Sequence, residues 1–279
     1  MMLTVQDIMT SEVIYVEVPG SRDKALKIMK QKGVTSVPIV KNKKLVGILT
    51  RGDIFKNPEE DQIALLMTRN PLSVKPETTI NEVARILIEK DIRRVPVVVN
   101  SELVGLVTVS DIIYAIADME IDIPVDEFTD RDIVAVWEMT PTNVVGEIMN
   151  LANVDASPVL NSDNLVVGII TESNLLKVSK IEDTIEKADL SAGFDEDAWT
   201  WEAVRDTMSL YYGVSRVELP NLPIAEVMIR EYQPVYHKTA VSECARRMRR
   251  YNVELLPVET AERKLEGIIR DKDLLKVLI

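Results

Sequence analysis

Val37-Pro38-Ile39-Val40-Lys41-Asn42-Lys43-Lys44-Leu45-Val46-Gly47-Ile48-Leu49-Thr50-Arg51-Gly52-Asp53 returns 58 positions later, without a gap, as Val95-Pro96-Val97-Val98-Val99-Asn100-Ser101-Glu102-Leu103-Val104-Gly105-Leu106-Val107-Thr108-Val109-Ser110-Asp111. The echo reaches back to Met9-Thr10 and Met67-Thr68. A register kept over that span means one structural unit built twice, and such repetition fixes the architecture before any single motif is read. Within the unit, two β-rich runs flank the polar turn Lys41-Asn42-Lys43-Lys44, a hairpin signal. Upstream, Ile14-Tyr15-Val16 is a short strand candidate. Ala25, Ile28, Met29 and Lys32 then follow at helical spacing, and Gly33 stands where that helix should stop. Thr50-Arg51-Gly52-Asp53 opens a second helix, so each unit reads β-α-β-β-α.

Two weaker copies follow. The third carries Val154, Ser157-Pro158-Val159-Leu160 and Gly168-Ile169-Ile170-Thr171-Glu172-Ser173-Asn174. The fourth carries Val253, Leu256-Pro257-Val258 and Gly267-Ile268-Ile269-Arg270-Asp271-Lys272-Asp273. Proline-to-glycine spacing is 9 in the first two copies and 10 in the last two, which one extra turn residue explains. The prolines of the last two copies stand 99 residues apart, which locates an insertion of about 40 residues. Ile181, Ile185 and Ala188 suggest that 181–222 is helical. It contains the acidic-aromatic run Phe194-Asp195-Glu196-Asp197-Ala198-Trp199-Thr200-Trp201. Trp137, Trp199 and Trp201 are all the tryptophans of the chain; they are expected to cap the core of the second half, the other reading being an exposed interface.

The 279 residues suit one large domain or two ordinary ones, and 46% hydrophobic with 28% charged residues is a globular rather than a disordered composition. No apolar run reaches the roughly 18–20 residues that span a bilayer. The N-terminus lacks the basic-then-apolar pattern of a signal peptide. The single cysteine, Cys244, suits a reducing cytoplasm, where the chain is expected to work. A net charge of −12 opposes a nucleic-acid backbone, and an anionic ligand would need a local basic patch. His237 is the only histidine and reads as a surface residue, and Cys244 falls on the apolar side of a helical pattern with Met248. Neither has a partner that would make it catalytic or a metal ligand, so no catalytic or metal site is expected.

The repeated unit resembles the cystathionine-β-synthase (CBS) domain. The likeness rests on the Val/Leu-Pro-Val/Ile strand and the closing Gly-h-h-Thr-x-x-Asp (h apolar), met four times in one order, and covers the chain outside 115–127 and 180–222. It implies an α/β chain of four β-α-β-β-α units, at 1–60, 61–120, 121–180 and 223–279, arranged as two paired modules with up to four nucleotide clefts. In this family the closing Asp holds the ribose hydroxyls of an adenosine ligand, which points to Asp53, Asp111 and Asp273, with Thr50, Thr108 and Ser110 beside them. An ionised carboxylate accepts only, which suits two adjacent hydroxyl donors. Thr-x-x-Asp at a helix start is also close to a capping box, which needs no ligand. The third copy keeps Thr171 but has Asn174, and the fourth keeps Asp273 but has Arg270, so the third cleft is expected to be degenerate.

By position in the unit, the resemblance places the adenine among Ile14, Val34, Thr35 and Ile48 of copy one and Leu72, Ile92 and Leu106 of copy two. Thr10 and Thr68 are the polar contacts; copy four has Ile229 and Gln233 at their places. Plain core is the other reading of the apolar members. Phosphates need cations: Arg93-Arg94 precede Val95-Pro96, where copy one has Thr35-Ser36, copy three Asp155-Ala156 and copy four Glu254-Leu255. Poorly explained by nearby acids in an acidic chain, this doublet is expected to hold phosphate, supplemented by Arg51 and Arg270. Copy two, where the doublet joins Thr108 and Asp111, is expected to be the best equipped. Arg246-Arg247-Met248-Arg249-Arg250 reads as solvated surface, with Arg250 alone placed to reach a cleft.

A chain of four such units and nothing else resembles the regulatory gamma subunits of AMP-activated protein kinase. The expected function is a non-enzymatic sensor of AMP, ADP or ATP that signals to a protein partner or a second copy, without nucleic acid or membrane. A sensor of S-adenosylmethionine or a dinucleotide, and a scaffold working through the Trp-rich insertion, are the alternatives.

Overall fold

The computed structural model describes residues 3–57, 59–190 and 208–279, with 181–190 and 208–217 described by backbone alone. Each proline run closes a hairpin with its glycine run: Ser36–Lys41 with Lys44–Thr50, Arg94–Val99 with Glu102–Thr108, Ala156–Leu160 with Val166–Thr171, and Leu255–Glu259 with Leu265–Arg270. The first two turn on Asn42-Lys43 and Asn100-Ser101, all four residues at φ between 51° and 68°. That is the two-residue turn whose twist matches antiparallel strands. The last two use three residues ending in left-handed Asn164 and Arg263, with Asn161 N–H reaching Leu165 O and Thr260 N–H reaching Lys264 O at 3.0 and 2.9 Å. The longer proline-to-glycine spacing is this extra turn residue.

A short leading strand joins each hairpin in parallel. In copies one and three it is Val16–Glu17 and Val136–Trp137; in copies two and four it shrinks to single bridges at Val74 and Val235. The first begins at Val16, two residues later than the expected Ile14. Helices Arg22–Lys32, Ile80–Glu89, Thr142–Ala152 and Val241–Tyr251 follow the leading strands. The first is capped by the Ser21 hydroxyl, which accepts from Lys24 N–H, and stops at Gly33 with φ 66°. Ala25, Leu26 and Met29 form its buried stripe.

The units of a pair exchange their leading segments. Thr10 of copy one pairs with Leu106 of copy two, and Thr68–Arg69 of copy two pair with Ile48 and Gly47 of copy one. The second pair repeats this, Asp130 meeting Ile268 and Ile229 meeting Ile169. The residue before each exchanged contact lies over the repeated glycine of the other unit: Met9 on Gly105, Met67 on Gly47, Met228 on Gly168 and Thr129 on Gly267. This explains both the Met-Thr echo and the glycine. At Gly168 an added Cβ would stand 2.6 Å from Met228 Sδ and 2.9 Å from the Ile229 carbonyl oxygen, and a backbone atom cannot step aside. Gly168→Ala is therefore expected to lower the stability read by urea denaturation by about 1–3 kcal/mol. An unchanged midpoint would show that the segment yields freely.

The two pairs are joined through copies two and four. Helix Val109–Ala117 packs on helix Val241–Tyr251, with Ile112, Ile113 and Ile116 in one core with Val241, Cys244 and Met248. Copies one and three keep separate clusters, although Leu176 of copy three is buried in that of copy one. Residues 118–124 form the connection, after which Val125 N–H bonds to Thr239 O at 2.9 Å. Cys244 is wholly buried, which pushes its thiol up to about 12, and His237 is exposed. Arg246 and Arg249, expected to be solvated, reach across to Ala117 O and to Asp118 at 3.4 and 2.9 Å. Arg250 is exposed against the Tyr251 ring and reaches no cavity wall described below.

The expected helix at 181–222 is corrected. Lys180–Leu190 and Met208–Glu218 are antiparallel strands paired along their whole length. Ile181 and Ile185 stand four apart, a spacing that fits one face of a strand as well as of a helix, and Tyr211-Tyr212-Gly213-Val214 favours the strand. Trp199 and Trp201 lie outside the described residues. Trp137 caps no core: it is 52% exposed, because the short leading strand turns it outward beside buried Val136. No helix among the described residues is long and apolar enough to cross a membrane.

Candidate functional site

The closing motif builds the same local device in three copies. Thr50 N–H and Oγ1–H donate to Asp53 Oδ2 at 2.8 and 2.7 Å, and Asp53 N–H donates back to Thr50 Oγ1 at 3.2 Å. Thr108 and Asp111 repeat this at 2.7, 2.8 and 3.3 Å. Thr171 does so with the amide oxygen of Asn174 at 3.0, 2.7 and 3.3 Å. These are capping boxes, so one carboxylate oxygen of each Asp is accounted for by the helix start. The other, Oδ1, makes no hydrogen bond at Asp53 or Asp111 among the described residues. Burial pushes the Asp111 carboxyl up, against the two bonds from Thr108. Asp273 is different: Oδ2 accepts Arg270 N–H at 3.2 Å and Oδ1 accepts Lys276 Nζ at 2.8 Å, so both oxygens are engaged.

Two cavities lie where the segment exchange brings units together. The larger, about 420 Å³, has Ile48, Thr50 and Arg51 of copy one facing Thr68, Leu72 and Ile92 of copy two. The second, about 280 Å³, has Val34 and Thr35 of copy one facing Leu106, Thr108 and Ser110 of copy two. Ligand pockets begin at about 300 Å³, so both are of that order. The sequence grouped Thr68, Leu72 and Ile92 with Thr108 and Asp111 of their own copy. The exchange instead sets each base-side wall against the closing motif of the other unit. Ile14 packs into the copy-one core and lines neither cavity, and Thr10 contributes only its backbone bridge to Leu106. Copy three also enters: Thr171 and Asn174 line the smaller cavity, opposite Ile229 and Val253 of copy four. The space beside Arg270 is about 80 Å³, too small for a nucleoside as it stands.

Arg93 and Arg94 line both larger cavities, but their partners differ. Arg93 was expected to lack nearby acids. In the fold it meets Asp155 at 3.1 Å, Glu254 at 3.3 Å and Asp271 at 2.5 Å, all from the other pair of units. Burial disfavours its charge, yet these three carboxylates hold its pKa above the ordinary value. Burial raises the Asp271 and Glu254 carboxyls, with Arg93 opposing. Arg94 bonds only hydroxyls, Thr35 Oγ1 at 2.8 Å and Ser36 Oγ, with no carboxylate partner among the described residues. Burial, then Arg93, pulls its guanidinium down to about 10, which leaves it charged at neutral pH.

Arg51, 2% exposed, pairs with Glu172 through Nη2, while its buried Nη1 has no hydrogen-bond partner. Arg270 is tied to Asp130 at 3.0 Å. Thr35, Arg93, Asp155 and Glu254 are one position of the four units. The sequence aligned them but did not show that they converge. Among the described residues no group of three or more His, Cys, Asp or Glu side chains is placed to hold a metal ion.

Comparison with known proteins agrees with this architecture. The chain is 28% identical over 192 residues to the uncharacterised protein MJ1225 of Methanocaldococcus jannaschii, 62% of this chain and 69% of that one. The crystal structure of MJ1225, described as a candidate archaeal homologue of the AMP-activated protein kinase gamma subunit, superposes with a TM-score of 0.76 at 21% identity, covering 99% and 100% of the two chains. An uncharacterised conserved protein of Pyrococcus horikoshii aligns at 30% identity over 99% and 100%, with a TM-score of 0.66. CBSX2 of Arabidopsis thaliana, solved in complex with AMP, aligns at 30% identity with 40% of this chain and 94% of its own, with a TM-score of 0.37. The family model described as CBS domain matches residues 5–60, 62–118, 125–181 and 224–279, and the chain belongs to the CBS domain family.

Proposed function

We propose that the chain is a regulatory sensor of adenine nucleotides, holding one in the Thr50 cleft and one in the Thr108 cleft and passing the state of those clefts to a protein partner or a second copy. The observation that carries this reading is Arg94, a half-buried cation with hydroxyl partners only, set in the wall of both cavities, one of which is also lined by Thr50 and the other by Thr108. Asp53 and Asp111, each with one oxygen free among the described residues, follow those threonines by three residues and stand just behind the lining. The phosphate role moves from the Arg93-Arg94 doublet to Arg94, with Arg51 beside the larger cavity. Asp273 and Arg270 are spoken for by protein groups, which favours the first two copies as the ribose sites. S-adenosylmethionine lacks a phosphate and offers Arg94 only the singly charged carboxylate of its methionyl group, beside an ammonium.

The test uses the cap itself. Asn174 shows that an amide oxygen completes the same capping box, so Asp53→Asn and Asp111→Asn should fold with near-normal stability. Each should weaken AMP at its own cleft by about tenfold or more in isothermal titration, about 1.4 kcal/mol. Unchanged affinity in both would return the motif to capping alone. AMP, ADP, ATP, NAD and S-adenosylmethionine should first be compared by thermal shift. A ligand at 100 times its dissociation constant stabilises by about 2.7 kcal/mol. If no adenosine compound raises the midpoint, the scaffold reading replaces this one.

A further inference from the structure

We infer that the larger cavity selects nucleoside monophosphates over triphosphates, and that Glu172 and Asp155, carboxylates of the third unit, are the residues that set this preference. The inference rests on the nucleotide reading above and names the ligand class of its larger cleft. Three guanidiniums reach the inner wall, Arg51, Arg93 and Arg94. The third unit sets Glu172 on Arg51 and Asp155 on Arg93, and Arg93 is held further by Glu254 and Asp271. The cations left for a ligand are Arg94 and the unpartnered Nη1 edge of Arg51. That is a match for one phosphate group of about −1.5 to −2 charge.

A second and third phosphate would have to extend along the same wall, beside the Glu172 and Asp155 carboxylates. Like charges set against each other in a confined site are a standard source of rejection. The remaining charged groups of the lining, Lys56, Lys90 and Asp91, are exposed at the rim, where solvent screens them, and Asp91 is tied to Lys272 at 2.7 Å. Arg51 and Glu172 are the same position of two units, the first helical residue after the closing Thr. Their opposite charge therefore bolts the pairs together and also limits how much negative charge the cleft accepts.

The experiment is isothermal titration of the full chain with AMP, ATP and adenosine, for wild type, Glu172→Gln, Asp155→Asn and the control Asp163→Asn. Asp163 is exposed on the hairpin tip of the third unit and lines none of these cavities. It corrects for the change in overall charge. Wild type and the control should bind AMP more tightly than ATP by about tenfold or more. Each test variant should narrow that ratio by roughly fivefold to tenfold, chiefly through tighter ATP, with adenosine unchanged. A ratio that is the same in Glu172→Gln, Asp155→Asn and wild type overturns the inference, as does a wild type that prefers ATP. Failure of the underlying nucleotide reading looks different: no member of the series, wild type included, would bind AMP. Thermal midpoints without ligand show whether each variant is folded. If Glu172→Gln fails to fold, Asp155→Asn decides alone.

Discussion

Arg93→Ala should be strongly destabilising, costing about 3 kcal/mol at neutral pH. Removing one partner of a buried ion pair costs about 3–5 kcal/mol, because the other charge stays buried and unpaired. Here the charge left behind is chiefly Asp271, whose side chain is 3% exposed, while Asp155 and Glu254 are about a third exposed and can recruit water. The loss should depend on pH. Burial already raises the Asp271 carboxyl, and Arg93 opposes that rise, so without Arg93 its folded-state pKa climbs further. A raised carboxyl contributes stability that is fully present below its unfolded value, near 3.9, and disappears as pH rises through the folded value. The deficit of Arg93→Ala should therefore shrink as pH is lowered from 7 towards 5. Urea denaturation at the two pH values measures it. The double variant Arg93→Ala with Asp271→Asn should recover much of the loss. If the double variant is no more stable than the single one at pH 7, the stranded charge is not the cause.

Arg94→Ala has the largest effect expected on binding. The guanidinium spends its donors on two hydroxyls, which are weak partners for a half-buried cation, and a phosphate would replace or join them with charge-assisted bonds. Losing such bonds, at about 1.5–3 kcal/mol each, should weaken AMP by roughly tenfold to a hundredfold in both clefts while adenosine binding changes little. Stability should fall far less than in Arg93→Ala, since Thr35 and Ser36 are neutral and lose only a neutral partner. The two substitutions at adjacent residues are thus expected to separate cleanly, one in denaturation and one in titration. Equal loss of AMP and adenosine in Arg94→Ala would assign it to shaping the cleft rather than to holding phosphate.

That separation was only half legible in the sequence. The doublet stood out against an acidic chain, and its place before Val95-Pro96 was fixed by the repeat. What Arg93 does depends on Asp155 and Asp271, 62 and 178 positions away, which the fold brings in from the other pair of units, while Arg94 depends on Thr35 and Ser36 of the neighbouring unit. A sign pattern was present: at one position of the four units stand Thr35, Arg93, Asp155 and Glu254. Opposite charges at an equivalent position are what a meeting point of the units requires, but without the packing they read equally well as scattered surface. The hairpins, the one extra turn residue of the last two copies and the helix starts at the closing motifs were readable, because each follows from residues close together in the chain.

Several residues that line the two cavities, Thr68, Leu72 and Ile92 among them, could be singled out in the sequence, but not their pairing, because the exchange of leading segments is a long-range event; Ile14 and Thr10, singled out with them, line neither cavity. The paired strands of the insertion were missed for a simpler reason. A four-residue spacing satisfies both periods, and only β-propensity tells them apart.

The connection at 118–124 has a consequence for how firmly the two pairs need to hold each other. A short tether makes their association intramolecular, at an effective concentration in the millimolar range. Contacts between the pairs can then be individually weak without the halves drifting apart. Some of that weak contact is Arg51 with Glu172 and Arg93 with Asp155, in the very walls a ligand would touch. A chain whose halves are held by a shared apolar core and a short covalent connection can leave such contacts to be traded for a ligand and regained when it leaves.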